Sequence, residues 1–365
     1  MGAYMDRKLR TIVCGSTFGQ FYLEALKLQE NEFEVVGLLA KGSERSKKCA
    51  SNYNVKLYSE IDELPDDIDL ACVVLRSGVL GGCGTDLTIK LMEKGLHVIQ
   101  EHPLHPKDLE ICYRLAKKNN VFFQTGNLYA NLPEVKKFIE CAKAVNQIQK
   151  PAYINAAFAA QVSYPAVEIL MYAMPSIRDW EVHCVNKDSG PFHILSGLLG
   201  STPVTLEIHN EVYPKDPDNH MYLLHNIVIV YECGRLTLED TFGPTIWNPR
   251  LHVSVDMYER GQLQGEFPDY MLENTSEILG DYVQLSFKDT LTKLWPKAIL
   301  EDLMSIRECI CKGKSSAKKA QQEILCAKQW SEITKSLGYA DIISNCVHNS
   351  VPSEMLRKLA SKYGG

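Results

Sequence analysis

The side chains best suited to chemistry in this chain follow the ends of two apolar segments. Residues 96–100 are mostly apolar and lead into His102, and residues 121–125 lead into Tyr129. An imidazole exchanges a proton near neutral pH, and a phenol can donate one when it is well placed. We therefore predict that His102 and Tyr129 form an acid pair. The alternatives are a structural role for the histidine and a core position for the tyrosine.

A glycine turn near the start of the chain is the candidate phosphate site. It lies between an apolar segment, 10–14, and a helical pattern, 21–28. Glycines at such a turn let the backbone approach the diphosphate of a dinucleotide at a helix N-terminus. The spacing is shorter than Gly-x-Gly-x-x-Gly, so a purely structural turn is the alternative. The predicted cofactor contacts in this turn are Gly15, Ser16, Thr17, Phe18 and Gly19.

The next apolar segment, 35–39, lacks the terminal carboxylate that usually binds the ribose of NAD. It is followed by Ser43, Arg45 and Ser46, whose hydroxyls and guanidinium suit a phosphate dianion. This pattern predicts NADPH as the cofactor, and a helix N-cap is the alternative role for Ser43. Three further side chains near strand ends are predicted cofactor contacts: Arg76, Ser77 and Glu101.

These residues need a scaffold, and the first third of the chain predicts one. Strand and helix patterns alternate there, as expected of a doubly wound parallel sheet. Residues 69–75 form a nearly continuous apolar run, which is typical of a strand covered on both faces. We therefore predict an N-terminal Rossmann domain over residues 6–130. The candidate residues would lie at the carboxyl edge of its sheet, where such folds bind ligands.

A second α/β domain is predicted over residues 131–365. Patterns at 221–232 and 235–241 indicate antiparallel strands joined by a hairpin. Helices from about residue 294 onward are predicted to pack back on the first domain. Asn127 and Trp247 are predicted substrate contacts; the tryptophan lies in a turn-rich aromatic segment, and a core position is its alternative.

Composition argues against several classes of function. The 365 residues carry 39 basic and 45 acidic side chains, a net charge of −6, which gives no reason to expect nucleic acid or an anionic membrane as partner. The 12 cysteines include no Cys-x-x-Cys motif, so a reducing, cytoplasmic location is expected. No metal site is predicted, because the prolines and spacing around Asp216, Asp218 and His220 suit a loop better.

Four segments of the chain carry motifs of a known family: 35–46, 98–106, 213–218 and 242–247. On them the chain resembles the glucose–fructose oxidoreductase/inositol dehydrogenase (Gfo/Idh/MocA) superfamily, and within it the thiazolinyl imine reductases of siderophore pathways. The superfamily commonly has a lysine where this chain has His102. It also commonly has a histidine in the helix corresponding to residues 164–174, which contain none. Both departures argue against alcohol oxidation.

The resemblance implies a Rossmann domain followed by an α/β domain with an open mixed, largely antiparallel sheet. It implies hydride transfer from NADPH to the C=N carbon of a thiazoline, tethered to a phosphopantetheinyl carrier domain of a nonribosomal peptide synthetase. His102 and Tyr129 occupy positions from which the general acid of that branch would come. A homodimer is also expected. The rival functions are a sugar or cyclitol NADP dehydrogenase and an NADP(H)-sensing Rossmann protein without catalysis.

Overall fold

A computed structural model describes residues 7–175, 180–255, 267–314, 317–346 and 350–363, so the predicted domain start at residue 6 lies outside the described ranges. The first part of the chain forms one sheet. Its strands are β1 (Leu9–Cys14), β2 (Phe33–Leu39), β3 (Lys56–Tyr58), β4 (Leu70–Val73), β5 (His97–Gln100) and β6 (Phe123–Thr125). The helices between them are α1 (Gly19–Lys27), α2 (Glu44–Tyr53), α3 (Gly84–Glu93) and α4 (Pro106–Lys118).

All strands of this sheet run parallel, in the order β3-β2-β1-β4-β5-β6. The central strands are apolar and buried on both faces; Ile12 on β1 and Leu70 on β4 are both 0% exposed. The strand order reverses between β1 and β4, which opens a crevice at the carboxyl edge of the sheet. The loops that follow β1, β4, β5 and β6 meet at that edge.

The second part of the chain forms a larger sheet and a separate two-stranded ribbon. Its strands are β7 (Tyr153–Ala159), β8 (Trp180–Ser189), β9 (Phe192–Leu199), β10 (Thr202–His209), β11 (Glu211–Val212), β12 (His225–Tyr231), β13 (Gly234–Leu238), β14 (Thr245–Pro249), β15 (Glu277–Ile278) and β16 (Asp341–Ile342). The eight-stranded sheet has the order β15-β14-β13-β12-β7-β10-β9-β8, and β11 pairs with β16. In the large sheet only β7 and β10 pair in parallel among the described strands.

The described residues form six further α-helices: α5 (Pro133–Asn146), α6 (Ser163–Ala173), α7 (Phe287–Asp289), α8 (Trp295–Lys312), α9 (Ala317–Leu337) and α10 (Ser353–Ala360). Helix α8 packs against α1 of the first part of the chain: its Trp295 ring is 5.6 Å from the Phe18 ring and 5.1 Å from the Phe21 ring. Arg307 of α8 forms an ion pair with Glu32, which precedes β2. In the second part of the chain, the indole N–H of Trp330 on α9 donates to the Ser163 hydroxyl of α6 at 2.8 Å, so the C-terminal helices contact both parts.

The predicted fold class is confirmed: a parallel Rossmann sheet precedes an α/β unit with a mixed, largely antiparallel sheet. The predicted hairpin is β12 and β13, which pair antiparallel. The aromatic segment expected to be rich in turns contains β14, whose residue Trp247 pairs with Leu236 of β13. All 12 cysteines are free thiols. Within the described ranges, none of the helices combines the length and apolar character that a bilayer crossing needs.

Candidate functional site

The glycine turn after β1 has a conformation that other residues rarely adopt. Gly15 has φ of 109°, and a Cβ built on it would lie 2.5 Å from the carbonyl oxygen of Val74. At Gly19, the first residue of α1, a Cβ would lie 3.1 Å from the side chain of Val13. The two glycines therefore allow close packing of the turn and of α1 against the sheet.

The N-terminus of α1 has no side-chain cap, in contrast to α2 and α4. Phe18 at the N-cap makes no capping hydrogen bond. In α2, Ser43 accepts a hydrogen bond from the Ser46 backbone N–H at 3.3 Å, and in α4 His105 accepts one from Lys107 N–H at 3.2 Å. An uncapped, positive helix end beside a glycine turn fits the diphosphate of a nicotinamide dinucleotide.

The other predicted cofactor residues in this crevice differ in their availability. Ser16 is half-buried and Thr17 is exposed on the turn. Ser43 caps α2, and the hydroxyl of buried Ser46 donates to the Ser43 carbonyl at 2.7 Å, so both serine side chains are engaged within the helix start. Arg45 is exposed and has no ion-pair partner among the described residues. It is therefore the side chain of this group that is best available to an anion.

Two residues after β4 connect the crevice to other loops. The Arg76 guanidinium forms an ion pair with Asp218, which lies between β11 and β12. The hydroxyl of buried Ser77 donates to the Pro103 carbonyl at 2.5 Å. The loop after β4 is thus attached both to the second part of the chain and to the loop that carries His102.

His102 is fixed through one ring nitrogen. Its Nδ1 lies 2.7 Å from the Gly126 carbonyl oxygen, and its ring stacks on Tyr164 with 5.0 Å between centroids. A carbonyl oxygen can only accept, so Nδ1 carries a proton and Nε2 is the nitrogen that can exchange one. The peptide bond between His102 and Pro103 is cis. The side chain is held in place and keeps one nitrogen for proton transfer.

Glu101 backs the imidazole. One carboxyl oxygen lies 3.6 Å from Nδ1 of His102, and the other accepts a hydrogen bond from the Tyr22 hydroxyl at 2.7 Å. Burial raises the pKa of Glu101 above its usual range. A Cβ at Gly126 would lie 2.5 Å from the Tyr22 hydroxyl, so the cluster leaves no room for a side chain there. The carboxyl group is placed to stabilise positive charge on the imidazole.

Tyr129 packs edge-to-face on a second histidine, His225, with 5.3 Å between ring centroids. His225 lies 2.9 Å from the Val162 carbonyl through Nε2 and 2.8 Å from the Thr241 hydroxyl through Nδ1. Burial lowers the pKa of His225 to about 4, so the ring is neutral at neutral pH and both nitrogens are engaged. Burial, with a contribution from Glu101, raises the pKa of Tyr129. A phenol in this setting is a weak proton donor.

The loop after β6 is attached to carboxyl groups from the C-terminal helices. The backbone N–H of Asn127 donates to Asp302 of α8 at 2.6 Å, and that of Thr125 donates to Glu323 of α9 at 3.1 Å. Buried N–H groups without partners would cost free energy. The two acids therefore fix the backbone on either side of Gly126, whose carbonyl holds His102.

The side chain of Asn127 joins this loop to α6. With its amide nitrogen as donor, it lies 3.0 Å from the Gly126 carbonyl oxygen and 3.0 Å from a carboxyl oxygen of Glu168. Burial raises the pKa of Glu168 well above its usual range. Burial also raises the pKa values of Asp302 and Glu323, against the lowering effect of Lys319. Asn127 thus supports the His102 loop.

Trp247 lies away from this cluster in the strand order. Its strand, β14, is two positions from β12, the strand that carries His225, in the large sheet. Its ring covers Gly234 of β13, where a Cβ would lie 2.8 Å from the indole. The half-buried ring packs on the sheet, and a substrate contact by Trp247 stays a prediction.

Four residues that support the site were missed in the sequence. Glu168 had a signal: it is a carboxylate in α6, a helix that is otherwise apolar on every side and almost entirely buried. The alternating pattern of β12 made His225 look like an ordinary core residue. The other two lie on amphipathic helices, where an acid usually faces solvent: Asp302 and Glu323.

Two family comparisons match the chain. Residues 9–127 match the oxidoreductase family with an NAD-binding Rossmann fold, Gfo/Idh/MocA. Residues 149–248 match the C-terminal domain described as thiazolinyl imine reductase Irp3-like. Residues 9–127 therefore match the Gfo/Idh/MocA oxidoreductase family and residues 149–248 match an Irp3-like C-terminal domain, which confirms the family resemblance. The protein is therefore an NAD(P)-binding oxidoreductase. A comparison with curated proteins gave no match.

Solved structures share the fold at low sequence identity. KijD10, a 3-ketoreductase from Actinomadura kijaniata in complex with NADP and TDP-benzene, matches with a TM-score of 0.65 at 12% identity over 92% of this chain and 100% of its own. The UDP-N-acetylglucosamine 3-dehydrogenase GnnA from Acidithiobacillus ferrooxidans matches with a TM-score of 0.62 at 11% identity over 90% and 97%. A dehydrogenase (MviM) from Clostridium difficile matches with a TM-score of 0.62 at 15% identity over 90% and 100%.

Proposed function

We propose that this protein is an NADPH-dependent thiazolinyl imine reductase. Its substrate would be a thiazoline on a siderophore intermediate, held as a thioester by the phosphopantetheine arm of a peptide synthetase carrier domain. The Irp3-like match over residues 149–248 supports this substrate class. The geometry of His102 supports the reaction, because Nδ1 is fixed to Gly126 and Nε2 remains to exchange a proton. This arrangement is the observation that carries the proposal.

The chemistry needs one hydride and one proton. The glycine turn at Gly15 and the Arg45 guanidinium would hold NADPH, which would supply a hydride to the imine carbon and leave as NADP⁺. The C=N double bond becomes a C–N single bond, and the electron pair left on the ring nitrogen takes a proton. His102 in its imidazolium form donates that proton from Nε2, and Glu101 stabilises the charged ring before transfer. Solvent then restores the proton to His102.

His102 is a better proton donor than Tyr129 in this site. Burial raises the pKa of Tyr129, so the phenolate that would remain after transfer is costly. An imidazolium becomes neutral when it gives up its proton, and no charge is left behind. We therefore assign the donor role to His102, and we assign to Tyr129 the shaping of the pocket beside His225.

The sugar dehydrogenase alternative requires a group that removes a proton from an alcohol. The carboxyl group of α6 that reaches the His102 loop belongs to Glu168, which is buried and accepts a hydrogen bond from the Asn127 amide at 3.0 Å. This carboxyl group is already engaged inside the protein. The solved sugar-modifying relatives are 11% to 12% identical to this chain and share its fold. These observations favour imine reduction over alcohol oxidation.

NADPH is proposed over NADH because of Arg45. This exposed guanidinium stands at the start of α2, after β2, where the ribose of the adenosine lies in this fold. A guanidinium pairs well with a phosphate dianion.

We further propose a cytoplasmic homodimer that pairs through the outer face of the large sheet. That face carries polar pairs such as Asn155 with Glu207, 2.9 Å apart.

Turnover tests the proposal directly. The protein is incubated with NADPH and an aryl-thiazoline thioester, first free and then tethered to a carrier domain. The expected result is loss of reduced-nicotinamide absorbance and a product heavier by two hydrogens. NADP⁺ reduction with a panel of sugars and cyclitols, without thiazoline turnover, would support the dehydrogenase alternative. Tight NADPH binding without turnover of any of these compounds would support the sensor alternative.

A further inference from the structure

A cluster of metal-ligating side chains lies at the end of β10, apart from the His102 site. Ligand atoms of His209, Glu211 and His220 all lie within 4.8 Å of one another. The Glu211 carboxylate is 3.1 Å from Nε2 of His220 and 3.6 Å from Nε2 of His209. Two of the residues come from neighbouring strand ends, and the third comes from the loop between β11 and β12.

His209 is the least expected member of this cluster. Its side chain is 0% exposed, and neither ring nitrogen has a hydrogen-bond partner among the described residues. Leaving a buried polar group without a partner is costly, so its presence calls for a missing ligand. The ring is held in place by stacking on Tyr222, 4.3 Å between centroids, and by edge contact with Phe192 at 5.5 Å.

We propose that His209, Glu211 and His220 bind a zinc ion. Two imidazoles and a carboxylate are a donor set that zinc takes, and a water molecule would fill its fourth position. Tetrahedral ligands at usual zinc bond lengths are about 3.4 Å apart. The separations from Glu211 to the two imidazoles, 3.1 and 3.6 Å, lie on either side of that value. Small side-chain rotations suffice to close the site.

The surroundings are those of a supported metal site. The Cys346 thiol lies 3.3 Å from Nδ1 of His220, so that nitrogen can donate to sulfur while Nε2 binds the ion. The side-chain nitrogen of Gln161 donates to the backbone carbonyls of Glu211 at 3.0 Å and His220 at 3.1 Å. Gln161 therefore fixes the backbone of two of the three ligands.

The ion would anchor the loop between β11 and β12 to the large sheet. That loop carries Asp218, which pairs with Arg76 at the edge of the cofactor crevice. No metal site was predicted from the sequence because His220 was considered only with Asp216 and Asp218, whereas the proposed co-ligand His209 is 11 positions earlier. A bound zinc thus stabilises the contact between the second sheet and the crevice without entering the reaction.

Zinc titration of the full-length chain, stripped of metal with a chelator, tests the site. Calorimetry should show a single zinc ion per chain, and zinc should raise the thermal unfolding midpoint. His220→Ala and Glu211→Gln should each weaken zinc binding by at least about 100-fold, because even loss of an outer-shell partner costs 10–100-fold. The matched control is His183→Ala, which removes a histidine from an exposed pair with Glu181, 3.2 Å apart, and should leave binding unchanged.

X-ray absorption at the zinc edge gives a second, independent readout. Nitrogen and oxygen neighbours, retained in Cys346→Ser, support the site. Wild-type affinity in both His220→Ala and Glu211→Gln would overturn the proposal, and so would a zinc shell dominated by sulfur. Circular dichroism of each variant establishes that it is folded, and the two ligand variants test the site separately.

Discussion

Two regions of the molecule contribute to the candidate site and do so differently. One consists of the loops after β5 and β6, and the other consists of the helices α8 and α9. The loops present His102 with one nitrogen left for chemistry. The helices bring Asp302 and Glu323, whose carboxyl groups are buried and engaged with backbone N–H groups. In the proposed mechanism, the first region carries the proton donor and the second fixes its position. The proposed reactivity therefore depends on groups that take no part in the proton transfer.

Removing the reactive group should give the largest effect. In His102→Ala, kcat for thiazoline reduction should fall by roughly 10²–10⁴-fold, the usual contribution of a positioned general acid. NADPH affinity, measured by cofactor fluorescence, should change little. His105→Ala is the control, because His105 caps α4 and its ring accepts from Lys107 N–H. Wild-type kcat in His102→Ala would show that the imidazole is not the proton donor.

Removing the support should have the next largest effect. Asp302→Ala leaves the buried N–H of Asn127 without its acceptor. The free energy of unfolding should fall by about 1–3 kcal/mol, and kcat should fall with it as the Gly126 carbonyl loses its position. Urea unfolding measures the first quantity. Asp302→Asn keeps an acceptor oxygen, so its free energy of unfolding should fall less than that of Asp302→Ala. A larger fall in Asp302→Asn would contradict the role of Asp302 as acceptor for the Asn127 N–H.

A more local effect is expected at the far end of the crevice. Arg45→Ala removes an exposed cation that has no ion partner among the described residues. Affinity for NADPH should fall roughly tenfold, the value of a charge-assisted hydrogen bond, with little change for NADH. Lys47→Ala, which breaks a surface pair with Glu44, is the matched control. Equal losses for the two cofactors would place the 2′-phosphate elsewhere.

The smallest effect concerns the dependence of stability on pH. Burial raises the folded-state pKa of Glu168 well above its usual 4.5. At a pH between the unfolded-state pKa and the raised folded-state pKa, the folded chain keeps a proton that the unfolded chain has lost. The free energy of unfolding therefore falls as pH rises through this window. Glu168→Gln removes that titration. Urea unfolding at pH 5 and pH 8 should show a smaller decline in the variant; an identical decline would mean that Glu168 is ionised in the folded protein.

The sheet and the position of His102 could be predicted from the sequence, whereas the supporting groups could not. Apolar runs and turn signals predict the parallel sheet, and the rule that ligands bind at its carboxyl edge singles out His102. The support could not be found in this way. Asp302 accepts a hydrogen bond from the backbone N–H of Asn127, which is 175 positions away in the sequence. Local sequence patterns carry no information about a partner at that distance. His225 follows the strand alternation of β12, so its hydrogen bonds were not visible either.

Single-turnover kinetics with His102→Ala and Tyr129→Phe side by side test most directly whether the imidazole supplies the proton. Each enzyme, saturated with NADPH, is mixed with the thiazoline thioester, and nicotinamide oxidation is followed in time. The Phe variant keeps the ring that packs on His225 and loses only the hydroxyl. We predict that the rate of nicotinamide oxidation falls by roughly 10²–10⁴-fold in His102→Ala and by less than about tenfold in Tyr129→Phe. The second loss is smaller than the roughly 10²-fold minimum expected when a general acid is removed. The reverse order would contradict the assignment of His102.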